Sequence, residues 1–76
     1  MSIKKRYIDG HVEINRLYTG DKVFCKLFAE RGLDDVKVTL KIFRPSGAVV
    51  SDFIDIPIAD FKEWCEWAMK LAEATE

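Results

Sequence analysis

The chain has 76 residues, 49% of them hydrophobic and 33% charged, with a formal net charge of −1. That length holds a single domain, and that composition excludes a disordered polar segment. The near-zero charge excludes a uniformly basic polymer binder, and no stretch approaches the ~20 apolar residues of a membrane span.

Met1–Arg6 carries Lys4, Lys5 and Arg6 with no apolar run behind them. This reads as a basic, mobile arm rather than a signal peptide, and a soluble intracellular protein, cytoplasmic or nuclear, is expected. Residues 7–76 then form the folded domain. Tyr7–Tyr18 alternates as a first strand, with Ile8, Val12 and Ile14 on one face and Tyr7, Asp9, His11, Glu13 and Asn15 on the other. Leu17 breaks the parity, which places a bulge or the strand end near Asn15–Arg16, and Gly10 marks a bend. His11, the only histidine, has no partner in sequence that a catalytic base would need and is read as a polar surface residue.

After the turn Thr19-Gly20-Asp21 come the two most informative strands, Lys22–Glu30 and Val36–Arg44. Side chains alternate across a strand. Val23, Cys25, Leu27 and Ala29 therefore share one face, as do Val36, Val38, Leu40 and Ile42. The opposite face gathers Lys22, Phe24, Lys26 and Phe28 from one strand and Lys37, Thr39, Lys41 and Phe43 from the other, with Arg44 at the rim. A solvated face ordinarily carries lysine, glutamate and threonine. Ammonium groups set among aromatic planes suit a flexible polyanion with flat bases, which is single-stranded nucleic acid. The same pattern also fits rings buried in a subunit contact with lysines solvated around them, and both readings stand at this point.

Arg31-Gly32-Leu33-Asp34-Asp35 is a tight loop whose paired aspartates read as a polar turn rather than a catalytic pair. Arg44-Pro45-Ser46-Gly47 reverses the chain into a fourth strand, Ala48–Ile56, with Ile54 and Ile56 on the core side. Short connections throughout imply an antiparallel meander. A helix opens at Pro57. Phe61, Trp64, Cys65, Ala68, Leu71 and Ala72 recur at helical spacing and are expected to cover the apolar face of the sheet. Met69 falls to the edge of that stripe. Trp67, beside it, is a candidate for a subunit interface together with Trp64. Residues 73–76 are expected to fray.

The expected fold is therefore α+β: a four-stranded antiparallel curved sheet followed by one C-terminal helix. Cys25, Cys65 and His11 lack metal-ligand spacing, and each cysteine lies on an apolar face, so neither a metal nor a disulfide is expected to support so small a core. Oligomerisation is the remaining support. There is no glycine-rich phosphate loop, no nucleophile–base pair and no cofactor motif, so an enzyme is not expected. Charge is divided along the chain: residues 1–56 hold ten Lys or Arg against eight Asp or Glu, and residues 57–76 two against five. An acidic helix can thus face away from a basic sheet.

The run Lys37-Val38-Thr39-Leu40-Lys41-Ile42-Phe43, the Pro-Ser-Gly loop, and Ile54-Asp55-Ile56-Pro57-Ile58-Ala59-Asp60-Phe61 together resemble the transcriptional positive cofactor four type of single-stranded DNA-binding coactivators. The layout covers about 50 residues. Phe61 and Trp64 fit the family's aromatic position early in the helix. Pro57 stands where the family opens its helix with serine or threonine, and Asp52 or Phe53 where it has glycine. The resemblance implies a homodimer formed through helices and sheet edges, and a sheet surface that grips unpaired DNA or RNA with little sequence preference. The other reading from the residues is a small homodimeric protein–protein interaction module with no nucleic-acid role.

Overall fold

The computed structural model describes residues 4–74. The chain runs through five strands, β1 Lys4–Ile8, β2 His11–Tyr18, β3 Phe24–Arg31, β4 Asp35–Phe43 and β5 Val49–Pro57, and ends in a helix, α1 Ile58–Ala74. The strands lie in sequence order in one antiparallel sheet. An antiparallel sheet followed by a single C-terminal helix is the α+β arrangement the sequence predicts.

The expected first strand is folded in two. Asp9-Gly10 joins β1 to β2 as a two-residue hairpin, with Ile8 opposite His11. Gly10 has φ 78°, in the region open to glycine, and its carbonyl accepts the Arg31 N–H at 2.8 Å. The physical signal was the Asp-Gly pair, a hairpin dipeptide rather than a mild bend. The hairpin also reverses parity: Ile8 shares a face with His11, not with Val12 and Ile14. Lys4, Lys5 and Arg6, expected in a mobile arm, belong to β1, so strand structure is present ahead of Tyr7. Met1, Ser2 and Ile3, the rest of that arm, lie outside the described residues, as do Thr75 and Glu76.

The predicted bulge is present. The β2–β3 register shifts between Ile14 and Leu17, with Arg16 at φ 62°. One inserted residue exchanges the faces of everything after it, so Leu17 joins Cys25 while Tyr18 joins Phe24. At the next connection Thr19 closes a loop by accepting the Lys22 N–H at 2.9 Å and donating its own N–H to the Val23 carbonyl at 2.9 Å. Gly32 N–H donates to Asp35 O at 2.8 Å between β3 and β4, and Gly47 N–H donates to Arg44 O at 2.9 Å between β4 and β5.

The helix begins without a loop. Pro57 ends β5 instead of opening α1, and the Ile58 N–H donates to Asp34 O at 3.1 Å. This ties the start of α1 to one corner of the sheet, and α1 packs against β4 and β5 alone. The expectation that its apolar stripe covers the sheet is therefore corrected. Phe61, Cys65 and Ala68 are half-buried, but Trp64, Leu71 and Ala72 are exposed. A cleft of about 1120 Å³ stays open between the helix side, with Phe61, Trp64 and Trp67, and the sheet side, with Val12, Ile14, Leu27, Val38 and Ile54. Among the described residues only Cys25, Val36 and Thr39 are buried, and no side chain is fully enclosed.

Candidate functional site

The face of the sheet turned away from α1 is where the lysines and phenylalanines meet. Register fixes the layout. Phe24 stands opposite Phe43, Lys26 opposite Lys41, and Phe28 opposite Thr39. On β5, Phe53 stands opposite Thr39, and on β2, Glu13 stands opposite Phe28. Thr39 is thus flanked by Phe28 and Phe53. It is buried although it lies on the face expected to be open, because two rings stand on either side of its short side chain.

Two aromatic clusters result, one at each end of the lysine pair. At one end the Phe24 ring lies 5.3 Å from Phe43 at 58° and 5.9 Å edge-on from Tyr18. At the other, His11 stacks on Phe28 at 5.7 Å with an interplanar angle of 29°. Lys26 Nζ and Lys41 Nζ lie 5.5 and 5.7 Å from the centre of the Phe28 ring, and Lys37 Nζ lies 4.3 Å from that of Phe53. These distances are within cation–π range.

The charges are unevenly balanced. Glu13, a carboxylate of this face along with Glu30 and Asp55, has its side chain only 8% exposed. It accepts hydrogen bonds from Asn15 Nδ2 at 2.6 Å and His11 Nε2 at 2.9 Å, and Lys26 Nζ lies 3.5 Å away. Lys37 has Glu30 and Asp55 as its cross-strand neighbours. Lys41 has Lys26 on one side and Ser51 on the other, so no carboxylate stands directly across from it. Like charges directly opposite one another destabilise a sheet, and an anion lodged between them relieves that cost.

Of the predicted site residues, Phe24, Lys26, Phe28, Lys37, Lys41 and Phe43 share this face. Lys22 does not: it sits in the β2–β3 loop at φ 64°, ahead of the strand it was expected to open. The left-handed backbone there takes it out of the alternation. Arg44 follows β4 in the exposed turn, at the rim as expected. Trp64 and Trp67 are exposed on α1, lining the cleft on the opposite side of the sheet. Tyr18, His11 and Phe53 belong to the face and were not among the predicted residues. Phe53 was legible, since alternation from Ile54 and Ile56 puts it there. Tyr18 was hidden by the one-residue slip of the bulge.

Among the described residues no cluster of three histidine, cysteine or acidic side chains could hold a metal ion. Among the same residues no helix is long and apolar enough to cross a membrane. Both thiols are free, Cys25 buried and Cys65 half-buried. No family model, no curated protein and no solved structure matches this chain. The likeness to the positive cofactor four type rests on the quoted residues alone.

Proposed function

We propose that the lysine–aromatic face binds single-stranded nucleic acid, with DNA the favoured ligand and little preference for sequence. The observation that carries this is the opposition of Lys26 and Lys41 beside the Phe28 ring, at 5.5 and 5.7 Å from its centre. Lys26 shares its charge with Glu13 at 3.5 Å, so Lys41, with no carboxylate directly across from it, is the ammonium group that favours a phosphate. Rings at either end of the pair offer planes for the bases on each side of that phosphate. Unpaired bases can reach such rings, whereas those of a duplex are already stacked on each other. Contacts to phosphate and to base faces carry no code, which is the source of the weak sequence preference. The reading is a binding role without catalysis, in transcription or in DNA maintenance.

A fluorescence-anisotropy titration tests it. Labelled oligo-dT should bind more tightly than a duplex of equal length, and the affinity should fall as salt rises. For single strands the logarithmic slope is about −0.7 per neutralised phosphate, so Lys26, Lys37 and Lys41 together give about −2. Absent binding at low salt, or equal binding of duplex, removes the proposal.

A further inference from the structure

His11 is the only histidine of the chain, and the fold seats it on the lysine–aromatic face, stacked on Phe28. Its Nε2 lies 2.9 Å from Oε1 of Glu13. An ionised carboxylate only accepts, so Nε2 carries the hydrogen and donates it. That leaves Nδ1 as the ring atom open to a proton. The His11 side chain is 27% exposed, so solvent and a bound strand can both reach it. Around it stand Glu13 and Asn15 on β2, the cross-strand Glu30 and then Lys26 on β3, and Lys37 and Lys41 on β4. In the β1 register Arg6 is opposite Glu13.

Glu13 serves several of these groups at once. Oε1 takes the His11 hydrogen, while Oε2 accepts from Asn15 at 2.6 Å and lies 3.5 Å from Lys26 Nζ. A phosphate drawn to Lys41, directly opposite Lys26, competes with Glu13 for the Lys26 ammonium. The Glu13 side chain is only 8% exposed, so water makes up little of what the ammonium withdraws. A proton on Nδ1 turns His11 into an imidazolium. Glu13 then keeps a full positive charge at a hydrogen bond it already makes.

We infer that His11 takes up a proton from solvent as the strand binds, releasing Lys26 to the phosphate, so that single strands bind more tightly as pH falls. This inference rests on the proposed nucleic-acid reading and adds to it a coupling between that site and pH. The sign follows from linkage. The bound state carries one proton more than the free state, so lowering the pH favours binding, and binding favours the protonated ring by the same factor.

Anisotropy titrations of oligo-dT from about pH 8 to about pH 5.5 test it, because imidazole changes charge over that range and thymine does not. Affinity should rise by about 10-fold, near the lower end for one hydrogen bond to a charged group. His11→Gln keeps a donor for Glu13 and cannot take the proton. Whatever its affinity at the upper pH, its profile across the range should be flat. The C2 proton of the single histidine gives a second reading by NMR. Its titration midpoint should move up by about one pH unit when oligo-dT is bound, the equivalent of the same 10-fold. Measurable binding that is indifferent to pH, with the same midpoint free and bound, overturns the inference and leaves the nucleic-acid reading standing. So does a pH profile that His11→Gln reproduces. Absent binding at every pH removes both.

Discussion

Phe28 is the residue at which the candidate site converges. One ring is stacked by His11 and approached by both Lys26 and Lys41, while its cross-strand neighbour Thr39 is buried. A base stacked on an aromatic plane contributes about 1–3 kcal/mol. Phe28→Leu keeps most of the volume over Thr39 and removes the plane, so anisotropy should show oligo-dT binding weakened by about 5- to 150-fold, with an unchanged circular-dichroism spectrum. Lys41→Ala acts differently. It removes one charge with no carboxylate directly across from it, so affinity should fall for every single strand alike and the salt slope should flatten by about 0.7. Lys22 supplies the contrast. Its φ of 64° strains a residue with a Cβ, at about 1–2 kcal/mol, and glycine returns part of that relief as chain entropy. Lys22→Gly should therefore raise Tm by about 2–4 °C, the equivalent of about 0.5 kcal/mol, while leaving nucleic-acid affinity unchanged. The contrast between Lys22 and Lys41 also marks what alternation can reveal. Alternation holds wherever the backbone stays extended, as it does from Phe24 through Phe43 apart from the loop. It fails at single residues that turn left-handed, such as Lys22 and Arg16, because sequence marks those positions only when they are glycine, asparagine or aspartate.

At the scale of elements, the hairpin at Asp9-Gly10 decides how wide the platform is. A single strand over 7–18 would have left β2 as an unpaired edge. β1 pairs with β2 along all of Lys4–Ile8 and brings three more basic residues into the sheet. Gly10 bears this arrangement through its backbone alone. A Cβ added there would meet only the Arg31 Cβ at 4.0 Å, so no clash arises, and the cost of Gly10→Ala is the left-handed conformation itself. That cost is about 1–2 kcal/mol, and thermal unfolding should shift down by about 4–8 °C for each kcal/mol lost. The sequence marked the helix's existence and its apolar stripe, since both follow from local spacing, while both ends differ: Pro57 belongs to β5, and Glu73 and Ala74, expected to fray, belong to α1. Where α1 would lie did not follow. Its direction is set by the missing β5–α1 loop and by the Ile58 to Asp34 hydrogen bond, a contact between residues 24 positions apart. Local periodicity tells which side of a helix is apolar, and not how much of that side one sheet can reach.

At the scale of the whole molecule the two faces of the sheet differ in the force that would occupy each. On the proposed reading the lysine–aromatic face would attract by charge and stacking, and that binding would weaken with salt. Anything covering the apolar face would be held by surface burial, which salt of the ordinary kinds leaves intact or strengthens. Thermal unfolding can read both at once, because anything that binds only the folded state raises Tm by mass action. At a fixed protein concentration, oligo-dT at about 100 times its Kd should add about 2.7 kcal/mol of stability, and raising salt should erase that gain. Without oligonucleotide, a second copy over the apolar face, as the resemblance implies, would make Tm rise with protein concentration by a step that the same salt does not erase. An oligonucleotide effect that survives high salt would place the ligand in the apolar cleft, among Leu27, Ile54 and Trp64, rather than over Phe28 and Lys41. A concentration effect abolished by salt would assign the contact between copies to the charged rim of Lys5, Asp60 and Glu63 rather than to the apolar surface they border.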